Sequence, residues 1–112
     1  MNIEIGNKQF ELKTNIGTIK KIEREFNRKS FIQVTNEIET MTVEDIQKLL
    51  LAGVDGKEEK EEFKEAMDTN AGFMDLFEYL KNFIGQLQYP GKTEKEIEKL
   101  NEKMVKETQG KN

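Results

Sequence analysis

The chain contains no cysteine and no histidine. Without cysteine it cannot form disulfide bonds, thiolate nucleophiles or thiolate metal ligands, and this composition is compatible with a reducing cytoplasm. Without histidine, catalysis would depend on carboxylates, lysines or tyrosines, and no pair of these occurs in a recognisable catalytic arrangement. We therefore expect a protein that is not an enzyme and that uses no cofactor and no metal ion.

Long apolar runs are also absent. No stretch approaches the length of a membrane span, and the N-terminal residues MNIEIGNKQF lack the basic and apolar regions of a signal peptide. We expect a soluble, intracellular protein with no membrane partner. A chain of 112 residues that is 36% charged and 35% hydrophobic is predicted to form one domain with a small core and exposed helical faces. This low hydrophobic content is also compatible with a homo-oligomer.

The net charge of −4 comes from one segment. Of the 22 acidic and 18 basic residues, seven acids and three lysines lie between Asp55 and Asp68, so the remaining chain has 15 of each. The acidity is therefore local, and the rest of the chain is neutral overall.

The N-terminal residues show the alternation of a β-hairpin. Ile3 and Ile5 alternate with polar residues, as do Phe10 and Leu12, and Gly6-Asn7 suits a two-residue turn of type II′. In this register Ile3 pairs with Phe10. Because an isolated hairpin is marginally stable in water, its apolar face is expected to lie on helices.

Four segments with helical signals follow the hairpin. Their predicted bounds are Thr14 or Asn15 to about Arg28, Ser30 to Met41, Thr42 to Gly53, and Lys57 to Met67. Thr69, Asn70 and Gly72 are then expected to interrupt the chain. Together with the helix described next, these segments predict a mainly α (α+β) fold, in which the hairpin packs on a compact bundle of about five short helices.

The most strongly amphipathic segment is FMDLFEYLKNFIGQL, residues Phe73 to Leu87. Seven apolar side chains fall within an arc of about 120°: Phe73, Leu76, Phe77, Leu80, Phe83, Ile84 and Leu87. Of these, Phe77, Leu80, Ile84 and Leu87 are expected to enter the core. Met74 lies outside one margin and Tyr79 lies just beyond Phe83 at the other, so Met74, Tyr79 and Phe83 are the candidates for contact with a partner.

Two charged faces are further candidates for binding. On the first helix, Lys20, Arg24 and Arg28 recur every four residues, either as a solvated face or as a docking surface for an acidic partner. On the fourth helix, four carboxylates have helical spacing: Glu58, Glu61, Glu62 and Glu65. Such carboxylates can bind hard cations or act as acids and bases, but the interleaved lysines favour a solvated face. A further hypothesis is that the basic face of one copy meets the acidic face of the next in a head-to-tail array.

The helix from Phe73 is predicted to stop at Tyr89-Pro90-Gly91. The following Gly91-Lys92-Thr93 imitates the end of a phosphate-binding loop, but Gln86 stands where that loop needs its first glycine, and a helix rather than a strand precedes it. Nucleotide binding is therefore not predicted.

A last helix is predicted from Thr93, with a narrow stripe of Ile97, Leu100 and Met104. A stripe of this width docks weakly, so we expect a detachable arm that frays from about Val105. The predicted organisation is a globular domain over residues 1–90 and a charged helical arm over residues 91–112.

Two stretches, NIEIGNKQFELKTNIGTIKKIEREF and VEDIQKLLLAGV, give the chain a resemblance to a known family. The chain resembles the tail assembly chaperones of long-tailed bacteriophages that infect Gram-positive bacteria, in which a hairpin of the form I-x-I-x-G-K-x-F-x-L-K runs into a helix that begins near an Ile-Gly pair, here Ile16-Gly17. The resemblance covers Asn2 to Gln88 and rests on pattern and element order. Asn7 replaces a glycine that is common in the family.

The resemblance implies a function in virion assembly. The protein would bind the long, helical tape measure protein in the host bacterial cytoplasm, keep it soluble until tail tube subunits polymerise around it, and be absent from the mature virion. In many such phages a ribosomal frameshift makes a longer form that recruits the tail tube protein, and the C-terminal arm is where this extension would join.

A second class of function is a small helical DNA-binding regulator. Five cations cluster in the first helix and after it, as in a helix-turn-helix protein: Lys20, Lys21, Arg24, Arg28 and Lys29. The chain has only two arginines and is acidic overall, so no nucleic-acid partner is expected.

Overall fold

The computed structural model describes residues 1–93 and 95–100. In this part of the chain, two strands precede five α-helices. In chain order they are β1 (Asn2–Ile5), β2 (Lys8–Glu11), α1 (Ile16–Glu25), α2 (Phe31–Asn36), α3 (Val43–Leu51), α4 (Lys57–Asn70) and α5 (Phe73–Gln88). A short 3₁₀ helix, Ile38–Thr40, lies between α2 and α3, and residues 95–100 are helical. The predicted mainly α fold with an N-terminal hairpin is confirmed.

The hairpin has the predicted register. β1 and β2 are antiparallel, and Ile3 lies opposite Phe10. Gly6 has φ 63, whereas Asn7 does not have a positive φ, which is the pattern of a type II′ turn and not of type I′. The pairing continues beyond the strands, because the Leu12 amide donates to the Met1 carbonyl at 2.7 Å.

The apolar face of the hairpin is buried against the helices. Ile3, Ile5 and Leu12 are each at most 3% exposed. The Phe10 ring stacks on that of Phe63 in α4, with 5.0 Å between the ring centroids. A two-stranded sheet thus gains its stability from the helix that covers one face.

Helix α1 begins as predicted but ends earlier. The Asn15 side chain caps it by accepting from the Thr18 amide at 3.0 Å. The predicted end near Arg28 is wrong, because Asn27 and Arg28 have φ 57 and 62, in the left-handed region. The Arg28 amide then donates to the Glu23 carbonyl at 2.7 Å, which closes the helix in the manner of a Schellman motif.

The predicted second helix is divided in two. Ser30 and Gln33 form a capping box at the start of α2, but α2 ends at Asn36 and the 3₁₀ helix follows. The Glu37 amide donates to the Val34 carbonyl at 3.1 Å, and the Thr40 amide donates to the Glu37 carbonyl at 3.1 Å. Both bonds span three residues, so the tighter 3₁₀ hydrogen bonding replaces the α-helical pattern from Glu37 onwards.

Helices α3 and α5 form the centre of the core, and α4 covers α3. Phe83 and Leu80 of α5 are fully buried. In the α3–α4 loop, a Cβ atom placed on Gly53 would lie 2.8 Å from the Phe83 ring, so the backbone passes directly over this ring. The predicted break at Thr69 and Asn70 is wrong: both belong to α4, and the chain turns after them.

Candidate binding groove along helix α5

One side of α5 forms the floor of an open groove of about 1110 Å³. The α5 residues in it follow helical spacing and include Met74, Phe77, Lys81, Ile84, Gly85 and Gln88. The facing walls are built by Met1 and Asn2, by Thr35 and the 3₁₀ helix, and by residues 97 and 98. The groove therefore lies between the start of the hairpin, the end of α2 and the C-terminal helical segment.

The N-terminal end of the groove carries exposed apolar side chains. Met74 is 74% exposed and Phe73 is 56% exposed. The Phe73 ring meets the half-buried Phe77 ring edge to face, with centroids 4.9 Å apart. Phe73 belongs to the apolar stripe of the sequence, but residues 72–75 are all exposed and core packing begins only at Leu76. Phe77 was predicted to enter the core and is only half-buried, because its ring lies beside the exposed Phe73 at the end of the helix. The result is an apolar cluster of Phe73, Met74 and Phe77 at the mouth of the groove.

The three predicted contact residues of α5 have different environments. Met74 lines the groove. Tyr79 is half-buried against the core, and burial, with the nearby charges of Asp75 and Glu78, raises the pKa of its hydroxyl. Phe83 is fully buried, so its side chain cannot touch a partner in this fold. The prediction for Phe83 is corrected because the α3–α4 loop covers its ring.

The predicted basic face is not a continuous stripe. Lys20, Arg24 and Arg28 are all exposed, but Arg28 lies beyond the end of α1. Within the described residues, Lys21 pairs with Asp55 at 3.0 Å and Lys29 pairs with Glu37 at 3.0 Å. Two of the five cations that suggested a DNA-binding protein are therefore paired with carboxylates. This pairing does not favour a DNA-binding surface on α1.

The predicted acidic face lies on α4. Glu58, Glu61, Glu62 and Glu65 are all exposed, as a solvated face would be. Among the described residues, no group of three or more carboxylates is placed to hold a metal ion. The head-to-tail pairing of this face with Lys20, Arg24 and Arg28 stays a prediction, now with Arg28 outside the helix.

Sequence reasoning missed an ion-pair cluster centred on Asp55. Its carboxylate lies 2.6 Å from Lys13 Nζ and 3.0 Å from Lys21 Nζ. Hydrogen bonds from Lys13 and then from Lys21, with their positive charges, lower the pKa of Asp55 to about 2. These residues are far apart in sequence, so only the fold brings them together, and the cluster joins the hairpin, α1 and the α3–α4 loop.

None of the helices within residues 1–93 and 95–100 has both the length and the apolar character needed to cross a bilayer. The predicted fraying from about Val105 lies outside the described residues, and the division at residue 90 stays a prediction. Comparisons with protein-family models, with curated proteins and with solved structures find no match.

Proposed function

We propose that this protein is a non-catalytic chaperone that holds an amphipathic helix of a partner protein in the groove along α5. The observation that carries the proposal is the apolar cluster at the mouth of that groove, in which the exposed Met74 and the half-buried Phe77 line the groove and the exposed Phe73 lies against Phe77. Exposed apolar clusters beside a groove are typical of interaction sites. Methionine adapts its flexible side chain to varied apolar surfaces, which suits a chaperone whose client presents many different helical turns.

The chemistry of the groove fits a helical ligand better than a small molecule. The groove is open along its length, its floor includes Phe77 and Ile84, and its rim carries Glu39, Glu78 and Lys81. An apolar floor with a charged rim accepts the apolar face of an amphipathic helix while leaving the polar face in water. The mixed signs on the rim orient the ligand and select its register.

The resemblance to phage tail assembly chaperones supplies the identity of the partner in this proposal. The client would be the tape measure protein, bound in the host cytoplasm until the tail tube polymerises, and the chaperone would be absent from the virion. The highly charged exterior supports this function because it keeps a complex with a long amphipathic client in solution. A homo-oligomer and a frameshifted form that binds the tail tube protein belong to the same proposal.

Co-expression with the tape measure protein encoded by the same phage tests the proposal. The wild-type chain should increase the soluble fraction of the tape measure protein, and Met74→Glu should remove most of this effect because it places a charge at the mouth of the apolar groove. Ile32→Glu is the matched control, since Ile32 is 71% exposed on α2 and does not line the groove. Equal solubility with and without the chaperone, or equal loss with both variants, would contradict the proposal.

A further inference from the structure

The C-terminal helical segment, residues 95–100, already covers one end of the groove. Ile97 and Glu98 contribute to its lining. A Cβ atom placed on Gly85 would lie 3.2 Å from Ile97 Cδ1 and 3.4 Å from Ile97 Cγ2, so the Ile97 side chain lies directly over the Gly85 backbone. The missing side chain of Gly85 thus provides the space in which an apolar residue of another helix packs on α5.

A side chain of α5 holds the turn that returns this segment to the groove. Gln86 Nε2 donates to the Lys92 carbonyl at 2.6 Å, and the Gly91 amide donates to Gln86 Oε1 at 3.1 Å. Gly91 has φ 79, a conformation that glycine adopts without strain. Thr93 then caps the segment by accepting from the Glu96 amide at 3.2 Å. The direction of the segment is therefore set by specific hydrogen bonds.

The contact between this segment and the groove is small. Ile97 and Leu100 are half-buried, and residues 95, 96, 98 and 99 are exposed. By comparison, α5 places Leu76, Leu80, Phe83, Ile84 and Leu87 in the core, each at most 8% exposed. A ligand helix with a wider apolar stripe would bury more surface in the same place and would displace the segment.

From this placement we infer that residues 95–100 are an intramolecular competitor for the groove: they cover its Gly85 end until a ligand helix replaces Ile97. The covered state lowers the apparent affinity for the ligand by the fraction of molecules in which the groove is open. It also reduces the apolar surface exposed by the free chaperone. The identity of the ligand as a client rests on the proposed function, whereas the docking of the segment does not.

Cysteine cross-linking tests the docking without any partner. The chain has no cysteine of its own. Ile97 Cγ2 lies 3.4 Å from the Gly85 Cβ position, so thiols at the two positions can meet after a small adjustment of the segment. Gly85→Cys/Ile97→Cys should form an intramolecular disulfide rapidly under mild oxidation, observed as loss of free thiol in the monomer. The control Gly85→Cys/Lys95→Cys, which uses an exposed position of the same segment, should react much more slowly. Equal rates for the two pairs would overturn the inference.

Competition is tested with a fluorescein-labelled peptide of residues 92–104 of this chain. Ile97→Asp should bind the peptide about threefold to tenfold more tightly than the wild-type chain, because the variant's own segment no longer competes. The oxidised Gly85→Cys/Ile97→Cys chain should not bind it. After reduction the same chain should bind the peptide measurably but more weakly than Ile97→Asp does, because the cysteine at position 85 occupies part of the space in which Ile97 of the peptide packs. Lys99→Asp, at an exposed position, should behave as the wild type. Equal peptide affinity for the wild-type, Ile97→Asp and oxidised chains would overturn the inference.

A second release variant avoids any change within the groove. A side chain at Gly91 would meet no atom within 4 Å, so Gly91→Ala strains only the turn and should also increase peptide affinity. Peptide affinity equal to that of the wild type would count against the inference. Positive cross-linking and peptide results without binding of the tape measure protein would reject the proposed client and leave the intramolecular competition established. If the tape measure protein binds the wild-type and oxidised chains with equal affinity, the proposed client is kept and the intramolecular competition is rejected.

Discussion

Gly53 allows close packing in the core because it has no side chain. Its position between α3 and α4 brings its backbone onto the Phe83 ring and next to Leu12 Cβ, which would lie 3.1 Å from an added Cβ atom. The sequence indicated only that Gly53 stops a helix. Its packing function depends on Leu12 and Phe83, which are distant in sequence, and no local pattern connects them.

We expect Gly53→Ala to lower the free energy of unfolding by about 1 to 3 kcal/mol, because an added methyl group overpacks a close contact in the core. Urea denaturation followed by circular dichroism measures this change. In the double variant Gly53→Ala/Phe83→Leu, the smaller side chain makes room for the methyl group, so the combined loss should be less than the sum of the two single losses. Strict additivity would show that the methyl group and the ring do not compete for space.

At the scale of the elements, the end of α1 shows that the spacing of apolar and basic residues does not by itself predict where a helix ends. The apolar pattern continues to Phe26, and the basic pattern continues to Arg28, so the sequence predicts a longer helix. Asn27 tolerates the left-handed region better than most residues, whereas Arg28 has no such advantage. Glu23 then accepts from the Phe31 amide at 2.8 Å and joins α1 to the start of α2.

We expect Arg28→Gly to raise the free energy of unfolding by up to about 1 kcal/mol, because glycine adopts the left-handed conformation without the steric cost of a Cβ atom. Arg28→Ala removes the same charge but keeps the Cβ atom, so it should leave stability nearly unchanged. Thermal unfolding of the two variants separates backbone conformation from charge. A similar gain in both would assign the effect to charge instead.

At the scale of the whole molecule, the ion pairs at Asp55 connect three parts of the chain at the surface. Lys13 follows the hairpin, Lys21 belongs to α1, and Asp55 lies between α3 and α4. The Lys13 amide also donates to the Gly53 carbonyl at 2.7 Å. These contacts fix the hairpin against the helices and therefore help to position Met1 and Asn2 at the wall of the groove.

The pH dependence of stability follows from the direction of the pKa shift. The ion pairs lower the folded pKa of Asp55 from 3.8 to about 2, so its stabilising contribution is present above about pH 4 and is lost as the pH falls through about 2. Asp55→Asn should therefore lower the Tm at neutral pH, and this difference from the wild type should shrink as the pH falls through about 2, disappear below it, and be smaller in high salt. Glu58→Gln, at an exposed position, is the matched control. A Tm difference that is constant with pH would contradict the assigned ion pairs.

The amino-acid sequence by itself determined the hairpin register, the cap at Thr42 and the helical character of α5, because alternation, capping and periodicity act between neighbouring residues. For α1 the sequence left Thr14 and Asn15 open, and the structure shows Asn15 as the cap. The sequence also identified Met74 as a candidate contact residue. The structure decided where α1 ends, which of the α5 side chains are covered, and that Ile97 lies on Gly85. These features depend on which surfaces meet after the chain folds, so a pattern along one helix cannot show whether its margin, such as Met74 or Phe83, faces water or another element.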